Sequence, residues 1–459
     1  MSNNYYAGNV IYNNQHKELT IQGNLSAQQM MKIAKDFLIN DELARHMASM
    51  SEAIDTIDPR EKNKVTYSGK LIMLVTLSGV FCDCQSWNDI ADFARYKKDF
   101  LRRFIPDLET TPSHDTLRRF FCIIKTERLE SCYREWACNM RGDSPSIEDC
   151  DWSKVQIGEG NDLYTNRHIA IDGKTICGAI NADKLVQESA GKITKEQAAS
   201  AKLHIVSAFL SDMSLSLGQE RVSIKENEIV AIPKLLDDID IRQGDVVTID
   251  ALGTQKKIVE KITEKQADYL LEVKDNHLKL RENIENDAEY LLISGRENDF
   301  IKRAEETTEG HGFMVTRTCI SCSEPSRLGF CYRDWKNLRT YGIIKTEKIN
   351  IATGEIQNEK HCFISSLVNN PELILKYKRK HWAVENGLHW QLDVTFNEDD
   401  GRKMMNSAQN FSTLTKMALT ILKNYQDEDK KTSVNRKRKK AGWSDEYLAN
   451  LINNFIKAF

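Results

Sequence analysis

Two aspartates stand at the ends of segments that the sequence predicts to be buried strands. Asp172 follows the apolar residues of IAIDGK, and Asp250 follows those of VTIDALG. A single aspartate in such a place most often caps a turn. Two of them on neighbouring strands are a different case, because the ends of adjacent strands open onto one crevice and bring distant side chains together. We therefore treat Asp172 and Asp250 as candidate catalytic carboxylates.

Carboxylates that lie close together repel each other, and they remain ionised together only when a cation neutralises them. Oxygen ligands without an accompanying set of histidines and cysteines favour Mg²⁺ or Mn²⁺. Two such ions about 4 Å apart activate water or a DNA 3′-hydroxyl and stabilise the leaving oxygen of an in-line displacement. The two aspartates thus predict metal-dependent phosphoryl transfer, a chemistry that needs a third acid.

Glu385 is our candidate for that third acid. On a helix, Glu385, His389 and Asp393 are spaced four residues apart and share one face. A carboxylate chosen by helical spacing alone is more often a solvated one. Periodicity also leaves rival acids open, namely Asp393, Glu398, Asp399 and Asp400.

The segments around the two aspartates predict an α/β fold with a ribonuclease-H-like mixed sheet flanked by helices. Strand patterns occupy RHIAIDGKTI, KLHIVSAFL, SLSLGQERV, DVVTIDALG and DYLLEVKD, and the helix patterns ENEIVAIPKLLDDI and TQKKIVEKITEKQ separate the last three. Three strands, a helix, a strand, a helix and a strand form the ribonuclease-H order. Near-continuous apolar strands such as DVVTID are typical of a sheet that helices cover on both faces.

Pattern and composition divide the chain into successive domains. They are an N-terminal extension (1–40), an all-α domain (41–145), a linker (146–165), the first part of the core (166–275), a β-rich insertion (276–366), the C-terminal part of the core (367–426) and a basic C-terminal tail with a short helix (427–459).

The all-α domain has a helix-turn-helix outline. Ser86 and Ser113 are predicted N-caps. The helix that begins after Ser113 carries Arg118 and Arg119, and a recognition helix would present such residues to DNA. Plain three-helix bundles share this outline, so DNA contact here is one of two open interpretations.

The overall composition is that of an intracellular globular protein. The chain has 459 residues and a formal net charge of −3, yet basic clusters such as KKTSVNRKRKK (430–440) are of the kind that neutralise phosphates. No apolar stretch approaches the roughly 18 residues of a membrane helix, and the N-terminus lacks the pattern of a secretory signal. Eleven irregularly spaced cysteines fit reduced thiols better than disulfides or a complete zinc site. We expect a cytoplasmic, nucleoid-associated protein without a membrane partner.

Several segments resemble the DDE transposases of bacterial insertion sequences, in the ISAs-type group that includes the H-repeat-associated proteins. They are HIAIDGKTICGA, KENEIVAIPKLLDDI, VTIDALGTQKKIVEKI, YLLEVKDNH and KHWAVENGLHWQLDVTFNEDDGR, within about residues 45 to 425. The resemblance implies a ribonuclease-H-like core with an inserted β region, an associated helical domain, and divalent metal use (Mg²⁺ or Mn²⁺). It also implies cutting and joining of double-stranded DNA at inverted repeats and in a target, by a homodimer on DNA. Carried over residue by residue, the three catalytic and metal-binding acids are Asp172, Asp250 and Glu385.

The sequence departs from the wider group around the third acid. Many related transposases carry a tyrosine, an arginine and a lysine at offsets −7, −4 and +7, where this chain has Lys378, His381 and Leu392. Those roles are therefore not carried over. Basic residues near the three acids remain candidates for phosphate contact, namely Lys174, Lys274, Lys378, Arg379 and, when protonated, His381 or His389.

Two other functions fit parts of this pattern. A metal-dependent nuclease on the same core would have the three acids but would not join strands. A decayed, catalytically inactive relative would still bind DNA. The presence of all three acids together with basic clusters favours an active transposase.

Overall fold

The computed structural model describes residues 4–7, 10–13, 18–21, 27–142, 167–180, 202–223, 227–294, 300–310, 312–401, 403 and 406–459. The statements below concern these residues. The predicted linker at 146–165 lies outside them.

The described strands form two sheets. A small sheet near the N-terminus contains β1 (Asn4–Ala7), β2 (Val10–Asn13) and β3 (Glu18–Ile21). A nine-stranded mixed sheet contains β4 (His168–Ile180), β5 (Lys202–Leu210), β6 (Leu215–Arg221), β7 (Val246–Ile249), β8 (Asp268–Val273), β9 (Ile301–Gly310), β10 (Phe313–Cys322), β11 (Thr340–Asn350) and β12 (Ile356–Ser365). The order across this sheet is β6-β5-β4-β7-β8-β12-β11-β10-β9.

The helices fall into an N-terminal set, a set around the sheet and a C-terminal pair. They are α1 (Ala27–Ile57), α2 (Gly69–Phe81), α3 (Trp87–Tyr96), α4 (Lys98–Leu101), α5 (His114–Ile123), α6 (Thr126–Arg141), α7 (Glu228–Asp238), α8 (Lys256–Glu264), α9 (Leu278–Ser294), α10 (Pro371–Val384), α11 (Asn406–Asn424), α12 (Val434–Trp443) and α13 (Asp445–Ile456).

Both predicted N-caps are present in the helical domain. The Ser86 hydroxyl accepts a hydrogen bond from the Asp89 N–H (3.1 Å), and the Asp89 carboxylate accepts one from the Ser86 N–H (2.9 Å), which makes a capping box at the start of α3. The Ser113 hydroxyl accepts from the Thr116 N–H (3.3 Å) at the start of α5. The local sequence thus sets where these helices begin.

The mixed sheet has the predicted ribonuclease-H order at its centre. Strands β4, β5 and β6 form an antiparallel meander, and β7 and β8 run parallel to β4. All four residues of β7 are buried, as expected for a strand that lies between neighbours in the middle of a covered sheet. The predicted α/β fold class is confirmed.

The region predicted as a β-rich insertion extends this same sheet. Strand β12 pairs antiparallel with β8, and β11, β10 and β9 follow outward. The region also begins with a helix, α9, which the charged and irregular sequence of this stretch did not predict.

The C-terminal stretch folds back onto the helical domain instead of trailing as a basic tail. The indole N–H of Trp136 on α6 donates to the Phe455 carbonyl on α13 (3.1 Å), and the Asn139 amide donates to the Ala458 carbonyl (2.9 Å). Arg438 on α12 is 1% exposed, and its guanidinium donates to the Val80 carbonyl on α2 (3.1 Å). Part of the predicted phosphate-binding cluster therefore has a structural role.

One apolar core runs through the helical domain and the sheet. Helix α11 is buried over most of its length and contacts α2, α5, α6 and β6. In the described part of the chain, every helix is too short or too polar to cross a membrane.

Candidate active site

Asp172 and Asp250 lie next to each other on the two central parallel strands. The register pairs Ile171 of β4 with Ile249 of β7, and each aspartate directly follows its member of this pair. Neighbouring strands lie about 4.8 Å apart, and residues in parallel register point to the same face. Strand β7 ends before Asp250, as predicted. The prediction that Asp172 ends its strand is wrong, because β5 continues to pair with β4 as far as Ile180.

The electrostatics of Asp172 reveal the acids around it. Burial raises the pKa of Asp172 to about 7, and the negative charges of Asp250, Glu228 and Glu385 contribute to this rise. The Gly173 N–H donates a hydrogen bond to Oδ1 of Asp172 (2.9 Å), and this bond opposes the rise in the pKa of Asp172. Burial likewise raises the pKa of Asp250. Such shifts are expected where acids crowd together without a cation, and a bound cation would reverse them.

The helix that carries the third candidate acid changes its winding at Glu385. Helix α10 ends at Val384, and the residues Glu385–His389 and Gln391–Thr395 continue as wider π-helical turns. The Trp390 N–H, for example, donates to the carbonyl of Glu385, five residues earlier. Such π-helical turns often occur at functional sites.

The predicted helix face nevertheless lies along β4. Nδ1 of His389 is 3.5 Å from Oδ2 of Asp172, and Oδ1 of Asp393 is 2.6 Å from Nζ of Lys174. Asp172 and Lys174 are two residues apart and share one side of the strand. Glu385, on the same helical segment, is close enough for its charge to act on Asp172.

The rival acids are engaged elsewhere. Lys174 is 10% exposed, and its ammonium group also lies 3.2 Å from Glu398 and 3.3 Å from Asp399. Asp399 accepts a further hydrogen bond from the Cys177 N–H (3.0 Å), while Asp400 is exposed. Three of the four rival acids, Asp393, Glu398 and Asp399, thus lie around Lys174 rather than around Asp172. Lys174, which we expected to contact phosphate, has carboxylates as its neighbours.

The remaining predicted phosphate contacts differ in how open they are. Lys274 is 60% exposed, its Nζ lies 3.3 Å from Oε1 of Glu272, and its charge opposes the rise in the pKa of Asp250, so it is an exposed cation near that acid. Lys378 is 16% exposed and bonds Glu272 (2.9 Å), and Arg379 is 43% exposed and lies 3.1 Å from Glu306.

Arg118 and Arg119 lie on α5 in the helical domain. They are 49% and 72% exposed, and both are 3.2 Å from Asp115. Pairing at this exposure is weak and leaves both guanidinium groups accessible to solvent.

Two buried histidines near the acids, His389 and His381, favour their neutral form. Burial lowers the pKa of His389 to about 3 and that of His381 to about 4. The protonated form that we considered for phosphate contact is therefore absent near pH 7. Neutral His389 would act as a hydrogen-bonding neighbour of Asp172.

A buried chain of hydrogen bonds joins β4, β7 and α10 beside the aspartates. The Thr248 hydroxyl lies 2.7 Å from Nε2 of His168 and 2.8 Å from Nδ1 of His381. Thr248 precedes Asp250 by two residues, and His381 precedes Glu385 by four. These hydrogen bonds therefore connect β4, β7 and α10, the elements that carry or directly precede the three candidate acids.

Sequence reasoning missed a fourth carboxylate, that of Glu228 in the first turn of α7. Its Oε1 lies 2.6 Å from Nε2 of His204, whose Nδ1 lies 2.8 Å from the Thr175 hydroxyl. A Cβ on Gly173 would lie 2.1 Å from this same oxygen, so glycine is needed for the close approach. The charge of Glu228 raises the pKa of both Asp172 and Asp250. No spacing rule links a residue in this helix to the two strands, although it belongs to the quoted segment KENEIVAIPKLLDDI.

The donor atoms of this site suit a hard divalent cation. Asp172 and Asp250 offer carboxylate oxygens from adjacent strands, and Glu385 acts on the same point from the helix. Among the described residues, no three acidic, histidine or cysteine side chains are yet gathered at metal-binding distances. The chemistry of the donors therefore fits a hard divalent cation.

Two family models match the chain over the regions described above. The transposase DDE domain matches residues 164–421, and the "DDE_Tnp_1-associated" domain matches residues 53–137. The first covers the sheet with all three candidate acids, and the second covers the helical domain.

Full-length relatives agree with these matches. YbfL of Escherichia coli strain K12 is 33% identical over 398 residues, which cover 86% of this chain and 95% of YbfL. The "H repeat-associated putative transposase YhhI" of the same strain is 32% identical over 398 residues, with the same coverage. A solved piggyBac transposase synaptic complex with hairpin DNA covers 91% of this chain and 78% of its own at a TM-score of 0.34 and 9% identity, a likeness too low to add to the argument. From the two domain matches and these relatives, the chain belongs to the DDE transposase family that includes the H repeat-associated proteins.

Proposed function

We propose that this protein is an active DNA transposase that cuts and joins DNA at insertion-sequence ends by phosphoryl transfer on the triad Asp172, Asp250 and Glu385. The observation that carries the proposal is the parallel register of β4 and β7, which sets the two aspartates side by side, with the charge of Glu385 acting on Asp172. Family membership alone does not give activity. The geometry of these acids in this chain is what supports it.

The three carboxylates would hold Mg²⁺ or Mn²⁺, in the two-metal arrangement that serves this chemistry. Divalent ions there would activate the attacking oxygen and stabilise the leaving oxygen. Lys274 is an exposed cation near Asp250, where its ammonium group can contact a DNA phosphate. His389 would orient the Asp172 carboxylate through its ring nitrogen.

Cutting and joining are the same reaction with different nucleophiles. Water attacks the phosphate at the element end and breaks its P–O3′ bond, which leaves a 3′-hydroxyl on one strand and a 5′-phosphate on the other. That 3′-hydroxyl then attacks a target phosphate, forms a new phosphodiester bond and displaces the target's own 3′-hydroxyl as the leaving group. Joining two ends to one target requires two sites, so we also propose that the protein acts as a homodimer on double-stranded DNA that carries the inverted repeats.

The test uses DNA that carries the flanking inverted repeats, with Mg²⁺, and compares the wild type with Asp250→Ala. We expect the wild type to nick the DNA and the variant to bind it without nicking. Asp237→Asn is a matched control, because Asp237 is 56% exposed on the surface of α7 and pairs with Lys261. Full nicking by Asp250→Ala would remove Asp250 from the site.

A second assay separates a transposase from a nuclease on the same core. Pre-cleaved end DNA with a free 3′-hydroxyl is incubated with a supercoiled target plasmid. Joined products support the transposase, and hydrolysis without joining supports the nuclease.

A DNA-binding protein without catalytic activity is the second candidate. Such a protein would share the transposase DDE domain, and family membership alone does not give activity. Binding of inverted-repeat DNA by the wild type with no nicking in Mg²⁺ or Mn²⁺ would establish this alternative.

A further inference from the structure

The buried side chain of Arg438 connects the C-terminal helices to the chain that follows Glu385. Residues 385–395, which we call the π-helical segment, contain the two π-helical turns of the site. Nη1 of Arg438 donates a hydrogen bond to the carbonyl of Thr395, the last residue of this segment. The guanidinium also lies 4.2 Å from the centre of the Phe396 ring, and Thr395 and Phe396 are both buried. One side chain of α12 thus holds the far end of the π-helical segment.

The same guanidinium is also bound to the helical domain. Nε and Nη2 donate to the Val80 carbonyl in the last turn of α2, at 3.1 and 3.0 Å. Oδ1 of Asp83 lies 2.9 Å from Nη1. The preceding residue, Lys437, donates to the Leu422 carbonyl near the end of α11 (2.7 Å). Arg438 therefore acts from a fixed base, and the planar fork of a guanidinium suits contacts in several directions.

The winding of the π-helical segment is unusual and needs support. A π-helical turn is rare, and it is wider than an α-helical turn of about 3.6 residues. If the segment relaxed to α-helical winding, the residues beyond Glu385 would turn about the helix axis relative to β4. His389, whose Nδ1 lies 3.5 Å from Oδ2 of Asp172, would turn with them. The last carbonyls of a helix have no partner inside the helix, and a nearby arginine can bind them. A contact at Thr395 is therefore well placed to keep the wider winding.

We propose that Arg438 is a positioning residue of the active site, which keeps the π-helical segment in its wide winding and so holds Glu385 and His389 against β4. It acts through Thr395 and Phe396 and needs no contact with DNA or with a metal ion. The inference rests on the proposed function, since it takes Glu385 as the third metal-binding acid. A buried arginine can also serve stability alone, and the experiment separates these two roles.

The test follows amide hydrogen exchange of the full, metal-free chain by mass spectrometry, for the wild type and Arg438→Lys. Lysine keeps the positive charge but lacks the planar fork that binds the Val80 and Thr395 carbonyls together. We expect exchange in residues 390–396 to become about ten- to hundredfold faster, because hydrogen bonds from a charged group hold this end in place. Exchange in α10 should stay within about twofold of the wild type, because local opening is confined to the released part.

The second readout is the nicking of inverted-repeat DNA at a temperature where urea unfolding shows both proteins to be folded. Groups that orient metal ligands typically contribute about 10–100-fold to metal affinity or activity. Arg438→Lys should therefore lower the maximal nicking rate about tenfold or more, and it should raise the Mg²⁺ concentration that gives half of this rate. The dissociation constant for DNA should stay within about twofold, because Arg438 is buried and makes no phosphate contact.

Two further variants make the result specific. Arg141→Lys is the matched control, because the Arg141 side chain is also 1% exposed and bonds a carboxylate, that of Asp245 (2.7 Å), at the opposite end of β7 from Asp250. It should leave exchange in residues 390–396 as in the wild type. Asp83→Asn is the milder variant, since it removes only the charge that faces the Arg438 guanidinium. Asp83 is 43% exposed with φ 69°, which asparagine also adopts, so the variant should fold and should speed exchange in 390–396 by a smaller factor.

The proposal is overturned if neither Arg438→Lys nor Asp83→Asn speeds exchange in residues 390–396, or if Arg141→Lys speeds it equally. It is also overturned if exchange becomes faster while the nicking rate and its Mg²⁺ dependence stay unchanged, because Arg438 would then serve stability alone. The exchange measurement uses neither metal nor DNA. A wild type that does not nick would therefore defeat the proposed function, while the exchange data would still decide whether Arg438 holds the π-helical segment.

Discussion

Replacement of Thr248 by valine removes a hydroxyl group that two buried imidazoles share, with almost no change in side-chain shape. Thr248 is 3% exposed, and its hydroxyl lies 2.7 Å from Nε2 of His168 and 2.8 Å from Nδ1 of His381. The hydroxyl has one proton, so it donates to one ring and accepts from the other. Valine leaves both ring nitrogens without this partner.

The size of the effect follows from these two contacts. A buried polar group left without a partner costs about 1–3 kcal/mol, so two of them cost about 2–6 kcal/mol. The added methyl group offsets up to about 0.8 kcal/mol of this loss. We therefore expect Thr248→Val to lower the free energy of unfolding by about 1–5 kcal/mol. Thr248→Ser keeps the hydroxyl, loses one methyl group, and should cost about 1 kcal/mol.

The assay is urea unfolding followed by tryptophan fluorescence for the wild type and both variants, together with the rate of Mg²⁺-dependent nicking. The hydrogen bonds of Thr248 connect β7, which precedes Asp250, to α10, which precedes Glu385. We therefore expect the Thr248→Val variant to nick DNA more slowly than the Thr248→Ser variant at a temperature where both are folded. Equal unfolding midpoints and equal nicking rates for the two variants would refute the reasoning, because the hydroxyl bridge would then support neither stability nor the site.

Three further outcomes are expected. Burial holds the pKa of His381 at about 4, below its ordinary value of 6.5. Neutral His381 therefore makes its full contribution to the free energy of unfolding above about pH 6.5, and this contribution is lost as the pH falls toward 4. In urea titrations at several pH values, His381→Asn should reduce this acid-induced loss by about 3 kcal/mol. The Arg141 guanidinium lies 2.7 Å from the fully buried Asp245 carboxylate, so Arg141→Met leaves that charge without its partner and should lower the free energy of unfolding by about 3–5 kcal/mol. Adding Asp245→Asn removes the unpaired charge and should restore part of the lost thermal midpoint. Gly173→Ala places a methyl group 2.1 Å from Oε1 of Glu228 and should lower the free energy of unfolding in urea by about 1–3 kcal/mol. This loss should be smaller when Gly173→Ala is combined with Glu228→Ala.

The central sheet was predictable because its signals are local and periodic. Strand β7 is an unbroken apolar run, and such runs identify buried strands. Ser86 and Ser113 marked helix starts through their own side chains. The order of strands and helices then left few topologies to choose from. What failed was the end of β4, since the sequence around Asp172 and Gly173 has the character of a turn while the pairing with β5 carries the strand onward.

The candidate site was predictable only in part, because some of its residues are placed by tertiary packing and not by local sequence patterns. The two aspartates follow from strand patterns, but Glu228 reaches the site through the packing of α7 against the sheet. No sequence rule specifies the packing angle of a helix. The sequence also does not predict the change to π-helical winding at Glu385, because Val384, Glu385 and their neighbours are compatible with an ordinary α-helix.

Basic residues show most clearly what a sequence leaves undetermined. A lysine or arginine can neutralise a DNA phosphate only if the folded chain does not already surround it with carboxylate or carbonyl oxygens. Lys174 is two residues from Asp172 and seemed well placed for a phosphate, yet it lies among Asp393, Glu398 and Asp399. Lys274 has a carboxylate neighbour too, since its Nζ lies 3.3 Å from Oε1 of Glu272, but it is 60% exposed and pairing at this exposure is weak. Lys274→Ala should therefore reduce the salt dependence of DNA binding by about one phosphate contact, whereas Lys174→Met should act on stability, because the charge it removes serves the fold itself.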